Sequence, residues 1–413
     1  LPICAVSYSA VIDGRRVVFT GDLIAGKGKV NNWFDLHWGY YGFTRGIDAS
    51  EQSFERVRGE KPGRLLPSHG DPIEEPESAM RENSRVYAML RQMLPPNSTG
   101  RKSNETRRIS PHLVYLGATS YAIVAETGKA FLYDYGYVDS QTINRFKKEF
   151  GIRHITVSFS HYHDDHLIRV FELLHGGTGL EIWSHESLVD VLENPARYRL
   201  PCLVPFPIRP DRVIRENERV EWEGYTLEFF HMPGQTEFHQ GMTAVIDGKK
   251  VMFTGDNTWK KADEQRVRNG PLVPHNEYFL DGGFITCANR MLRYLPDLVC
   301  PAHTEEYSPT KEDLEGFLGW AHRLRDVMDG LILQPDANFG MDSRWCHFDP
   351  VRHIASGGSE FEVHLVVRNH LFRAGRIAVE LKLPGGITCR EARRTVTVEP
   401  KSRVAIPFRL ARG

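Results

Sequence analysis

The residues of this chain most able to do chemistry together are His161, His163, Asp165 and His166, within His161-Tyr162-His163-Asp164-Asp165-His166. Neutral imidazole is a good zinc ligand, and carboxylates add hard anionic ones. On an extended segment alternate side chains point the same way, so His161 and His163 serve one position. Asp165 and His166 then turn into an adjoining one. A single loop thereby offers two ligands to each of two neighbouring metals. With 18 histidines in the chain, three at these fixed places arise by chance about 0.03 times, before the aspartate is required.

The elements that position this loop are legible around it. Short strands are expected at His112–Leu116, Tyr121–Glu126 and Ala130–Asp134, then a helix at Ser140–Phe150 and a strand at His154–Ser158. That last strand delivers the loop from its C-terminal end, where catalytic loops of layered α/β folds sit.

A second signal is an internal repeat. Ala10-Val11-Ile12-Asp13-Gly14 through Thr20-Gly21-Asp22 returns as Ala244-Val245-Ile246-Asp247-Gly248 through Thr254-Gly255-Asp256, at an offset of 234 residues. Pro67-Ser68-His69 meets Pro301-Ala302-His303 in the same register, so Asp22–His69 and Asp256–His303 are each 47 residues apart. We read this as a duplicated half-domain. Each copy is a strand, an Asp-Gly turn and a strand ending at Thr-Gly-Asp. A helix-like segment and a short strand (Leu298–Cys300) precede the Pro-x-His loop. Ser308-Pro309 reads as the cap and first turn of an amphipathic helix whose buried stripe is Leu314, Phe317, Leu318, Ala321, Leu324 and Met328.

The polar, breaker-rich stretch 96–104 reads as a linker. The organisation expected is a half-domain at 1–95, the linker, a complete catalytic domain at 105–333, and a small β-sandwich at 350–413 whose expected role is packing or spacing. The opening at Leu1 inside a repeat motif reads as a truncated N-terminus, so targeting is not readable. In the first copy Ala5 and Leu1 face His239 and Gln235, so no complete metal site is expected there. A circular permutation, with Asp22 and His69 serving the motif, is the outlying alternative.

These motifs resemble the metallo-β-lactamase superfamily over roughly residues 105–330, including Tyr133-Asp134-Tyr135-Gly136, which is similar to the family's Asp-x-Gly strand end. The resemblance implies an α/β fold: an αββα four-layer sandwich, here with an additional half-domain and a small C-terminal all-β sandwich. It implies that H-x-H plus a later histidine bind one metal, that Asp165 and His166 plus His303 bind the other, and that Asp256 bridges. Asp165 and Asp256 are then the catalytic carboxylates. In place of the usual P-G-H-T stands Pro233-Gly234-Gln235-Thr236, with His239 four residues beyond Gln235. His239 is the expected ligand and Gln235 the alternative; His231 is expected to pack at a strand end.

The expected activity is hydrolysis of an ester, lactone, amide, thioester or phosphodiester by a metal-bridged hydroxide, with two zinc ions; iron or manganese stays open. The alternatives are a mononuclear-iron oxygenase on the same fold, and a non-catalytic binding or scaffold protein with a degenerate site. The net charge is −1, with 52 basic and 53 acidic residues. This offers no electrostatic footprint for nucleic acid, and Arg290–Arg293 reads as a solvated helix face. A soluble protein acting on a small-molecule substrate is expected. The six cysteines lack C-x-x-C spacing, against both a disulfide framework and a cysteine zinc site.

Overall fold

The computed structural model describes residues 6–36, 43–93, 105–174, 179–259, 268–269 and 282–412. The expected linker falls wholly outside them, as do Leu1, Ala5 and much of the loop between Trp259 and Tyr278.

Two sheets carry the site. The first has seven strands, ordered Arg212–Ile214, Gly179–His185, His154–Ser158, Lys129–Tyr133, Ser120–Val124, Leu113–Gly117 and Arg107–Ser110. The second has five: Arg219–Trp222, Tyr225–His231, Gln240–Ile246, Lys249–Gly255 and Leu298–Pro301. Alternation along each strand builds three layers of core from these two sheets. Tyr115, Tyr121, Phe131 and Tyr133 pack face to face with Leu227, Phe229, Met242 and Phe253. Val114, Leu116, Leu132, Ile155 and Val157 face the outer helices through Ile143, Phe146, Leu188 and Val191. On the far side Phe230, Met232, Met252 and Val299 meet Cys287, Met291, Phe317, Ala321 and Met328. The result is an αββα sandwich.

The expected helix at Ser140–Phe150 is present. Asp139 caps it by accepting from the Thr142 N–H (2.8 Å), and Gly151 closes it at φ 63°. The later amphipathic helix runs Lys311–Leu331 and starts differently from expectation. Its cap is Thr310, not Ser308, because Thr310 and Asp313 satisfy each other's backbone N–H groups reciprocally. Arg290 also departs from a merely solvated role. It pairs with Glu216 and lies over the Phe230 ring.

The first repeat segment forms a three-stranded sheet of Tyr8–Ile12, Arg15–Gly21 and Arg64–Pro67, with helices Phe43–Gly59 and Pro76–Met93. Its pairing matches the second segment bond for bond. Val17 faces Arg64 and Gly21 faces Pro67, as Val251 faces Leu298 and Gly255 faces Pro301, with the same register shift between. The Leu65–Ile73 bridge likewise matches Val299–Tyr307. The helices of the two segments share one core, in which Tyr87 and Leu90 join Leu324 and Leu331. The strand faces differ. Phe253 is wholly buried against the first sheet, whereas its counterpart Phe19 is 39% exposed.

Towards the C-terminus a four-stranded sheet, beginning at Cys346–Asp349, and the pair Gly375–Glu380 and Arg393–Val398 enclose Val363, Leu365, Ile406 and Phe408. Among the described residues no helix is long and apolar enough to cross a membrane.

Candidate metal centre

The strand His154–Ser158 runs on through Phe159 and Ser160 into the motif. His161 forms a bridge with His239, and the Ser160 carbonyl accepts from Gln240 N–H (2.8 Å). Gln240 fastens the junction further: its Oε1 accepts from His185 N–H (2.7 Å), and its Nε2 donates to Ser158 Oγ (2.6 Å). The two sheets are thus laced together at the end where the histidines emerge.

Two groups of ligand-type atoms form there, each with its atoms within 4.8 Å of one another. One is His161, His163 and Asp256; the other is Asp165, His166 and His303. The motif thus places His161 and His163 in one group and Asp165 and His166, on the helical turn Asp164–Leu167, in the other. Asp256 lies between the groups: its Oδ2 is 4.0 Å from His161 Nε2, and its Oδ1 is 3.2 Å from His166 Nε2 and 3.1 Å from His303 Nε2. Asp165 Oδ2 is 3.2 Å from His303 Nε2. Asp22 and His69 stand apart from the motif, 3.6 Å from each other. It is Asp256 and His303 that stand beside it, so the circular permutation is not what this chain adopts.

His239 stands outside the first group of three, though its ring stacks on His161 with centroids 5.0 Å apart. Gln235 is wholly buried, and its Nε2 donates to Asp256 Oδ2 (2.8 Å). His231 sits at a strand end with Nε2 2.6 Å from the Glu237 carbonyl, as expected of a packing residue. Asp164, at the variable motif position, accepts from Tyr137 Oη (2.7 Å).

The Asp-x-Gly strand end has a physical explanation. Asp134 takes φ 66°, a left-handed value that aspartate tolerates. Its Oδ1 accepts from the Ser160 N–H (2.6 Å) and its Oδ2 from His166 Nδ1 (2.9 Å). That second bond leaves His166 Nε2 facing the cluster. Gly136 must lack a side chain, because a Cβ there would lie 1.5 Å from the Asp165 carbonyl oxygen. Gly255, at φ 49°, is similarly constrained by Ser160 and His239 Nε2.

Asn257 is a site residue that sequence reasoning missed. Its Oδ1 accepts from Gln235 N–H (2.9 Å), and its Nδ2 donates to the Met232 carbonyl and lies 3.2 Å from His239 Nδ1. The only available signal was its place directly after Thr254-Gly255-Asp256.

The electrostatics fit a cation. Burial, reinforced by His166 and His163, holds His161 well below its ordinary value, so it is neutral. Burial likewise takes His239 down to about 3. Burial also opposes charge on His166, but Asp165, Asp134 and Asp256 outweigh it and raise that imidazole well above its ordinary value. His303 is carried up to about 9 against its own burial, chiefly by Asp256. Clustered carboxylates here draw protons onto imidazoles, as they would draw a metal ion. The Nε2 atoms of His161, His166 and His239 and the Oε1 of Gln235 are buried without a hydrogen-bond partner. Such atoms are costly in a folded core, and ligation would satisfy them. The residues present fit a metal centre.

The family model described as the metallo-beta-lactamase superfamily matches residues 114–303, a span that contains every residue of this site. Over that segment the chain is similar to the metallo-beta-lactamase superfamily. No curated protein matches it significantly. Similar solved structures include the DIM-1 metallo-beta-lactamase, at 14% identity, TM-score 0.41, over 54% of this chain and 99% of that one. A metallo-beta-lactamase from Cronobacter sakazakii has 15% identity and TM-score 0.40, over 55% and 94%. A beta-lactamase from Chitinophaga pinensis has 17% identity and TM-score 0.40, over 57% and 96%.

Proposed function

We propose that the chain is a dinuclear metallo-hydrolase, zinc-dependent, acting on an acyl or phosphoryl centre of a small-molecule substrate. The observation that carries this is the pairing of two three-residue ligand groups on either side of Asp256. His161, His163 and Asp256 would hold one ion; Asp165, His166 and His303 the other, with Asp256 common to both. Divalent ions bound there would acidify a water and polarise the bond to be cleaved.

The remaining work falls to this chain's own side chains. Asp134 holds a proton on His166 Nδ1, so that Nε2 is the nitrogen left to face a metal. Gln235 anchors Asp256 Oδ2, which fixes the orientation of the shared carboxylate. The buried, neutral His161 needs no deprotonation before ligation. Asp165 and Asp256 would be the carboxylates placed to accept and orient the protons of an attacking water.

A fourth place beside the first group is proposed for His239, with Gln235 Oε1 as the competitor. Asn257 bears on the choice, since its Nδ2 faces His239 Nδ1 and a ligating Nε2 requires the proton on Nδ1. His239→Ala and Gln235→Ala, compared for zinc affinity, separate the two.

The test is metal content by mass spectrometry together with turnover of generic ester and phosphodiester substrates. Two zinc per chain, hydrolysis, and loss of both in His161→Ala are expected. Full turnover by metal-loaded His161→Ala would overturn the reading; one iron per chain would point to the oxygenase instead.

A further inference from the structure

We propose that the C-terminal β-sandwich is a working part of the metal centre, with Arg368 as a positioning residue for the loop that carries Gln235 and His239. This rests on the reading of that loop as part of the metal site.

The loop Met232–His239 joins two strands of the second sheet, and its ends are closed by Met232 N–H donating to the His239 carbonyl (2.9 Å). Within it there are only a Gly234–Thr236 backbone bond (3.2 Å) and a Phe238 N–H bond to Thr236 Oγ1 (3.2 Å). Its shape depends on what grips it from outside. From the catalytic sandwich, Asn257 holds the Gln235 N–H and the Met232 carbonyl and faces His239 Nδ1, Asp256 accepts from the Gln235 amide, and His231 meets the Glu237 carbonyl. Other grips come from beyond residue 340. Arg368, at the end of the strand Glu360–Arg368, spans both oxygens of the Glu237 carboxylate at 3.2 and 3.4 Å. Arg344 lies over Tyr198 (4.5 Å) and Phe238 (6.0 Å), and Phe238 meets the Tyr198 ring edge-on.

Arg368 is itself held. Its other nitrogen lies 3.2 Å from Asp342, whose side chain is fully buried and also accepts from His370 Nε2 (2.9 Å) and the Arg344 N–H (2.9 Å). A carboxylate buried this deeply is a fixed reference point. It aligns the guanidinium, and the guanidinium aligns Glu237, two residues from His239. The planar fork of arginine suits this bridging of two carboxylates, whereas a lysine offers a single point of charge. Ligand atoms must be held to about half an ångström for full affinity. The loop has too few bonds of its own to do that. A packing role for the sandwich would not require an arginine anchored on the buried Asp342 to end on this loop.

The sandwich docks elsewhere too, through Arg197 and Asp349 at 3.0 and 2.6 Å. That contact involves no residue of the loop itself, although Arg197 precedes Tyr198, whose ring meets Phe238, and it provides a control for loosened docking. The experiment uses the full chain loaded with Co(II), with each site's affinity read by chelator competition and by the visible ligand-field spectrum. Arg368→Met and Glu237→Gln should each weaken the first site about tenfold and shift its spectrum, and leave the second within about twofold. Arg368→Lys should recover part of the loss, and Arg197→Met should change neither site. Equal effects at both sites, equal loss in Arg197→Met, or unchanged affinity and spectrum in both Arg368→Met and Glu237→Gln would each overturn the proposal. Glu237→Gln keeps the test decisive should Arg368→Met fail to fold. A wild-type chain that binds no cobalt would instead refute the metal-centre reading, and this inference with it.

Discussion

Replacing Asp134 by asparagine changes one atom and should disable the second metal position. In the wild-type chain the carboxylate accepts from Ser160 N–H at 2.6 Å and from His166 Nδ1 at 2.9 Å. An asparagine can keep only one of these as an acceptor. If its oxygen stays on Ser160, its NH2 faces His166 Nδ1 and drives the imidazole proton to Nε2, the atom needed bare for ligation. If the amide turns over, its NH2 meets the Ser160 N–H, donor against donor. A hydrogen bond to a charged group contributes about 1.5–3 kcal/mol, and loss of a residue that orients a ligand costs roughly 10- to 100-fold in metal affinity. Asp134→Asn should therefore lose affinity within that range at the Asp165–His166–His303 group, with the other group little changed. Isothermal titration of the metal-free protein with zinc, alongside circular dichroism to verify the fold, measures it. A folded Asp134→Asn that binds two zinc ions with wild-type affinities would refute this account of Asp134.

Three further outcomes are expected. Phe253→Ala should lower stability by about 3–5 kcal/mol, while Phe19→Ala, at the same repeat position but 39% exposed, should cost about 1 kcal/mol or less; equal losses in urea unfolding would contradict the fold's asymmetry. Gly136→Ala should abolish metal retention, because its Cβ would strike the Asp165 backbone, whereas Gly248→Ala meets open space at φ 77° and should cost only about 1 kcal/mol; metal retention and thermal melts distinguish them. Burial would raise the Asp342 carboxyl, but His370 and Arg368 prevail and hold it below its ordinary value. Its folded value being depressed, its contribution is full above about pH 4 and is lost as pH falls through the folded value. The stability gap between wild type and Asp342→Asn should be about 3 kcal/mol at pH 7 and shrink on acidification; a gap independent of pH would contradict this.

Where sequence and structure agree, the cause is local. The strand His154–Ser158 and the helix Ser140–Phe150 carry their own periodicity and caps, so their bounds could be read directly. The six-residue motif divides into two groups because its extended half, His161 to His163, gives way to the helical turn Asp164–Leu167 that carries Asp165 and His166. Local rules also mislead where two candidates compete: Ser308-Pro309 resembles a helix start, yet Thr310 prevails because only it has Asp313 three residues on. What was not legible depends on distant partners. Arg368 and Glu237 are 131 residues apart, and no pattern near either announces the other. Asn257 acts by joining Gln235 to His239, a relation that only the folded loop creates. The strand Tyr225–His231 sends Leu227 and Phe229 to one core layer and Phe230 to the other, so Phe229-Phe230 breaks the alternation.

The most direct test of the central claim is a crystal structure of the zinc-loaded protein with anomalous difference maps collected on both sides of the zinc edge. Two peaks are predicted, one contacting His161, His163 and Asp256 and the other Asp165, His166, His303 and the same Asp256. Maps from the loaded, folded protein with no peak at these residues, or with a single peak that leaves Asp256 uncoordinated, would contradict the account.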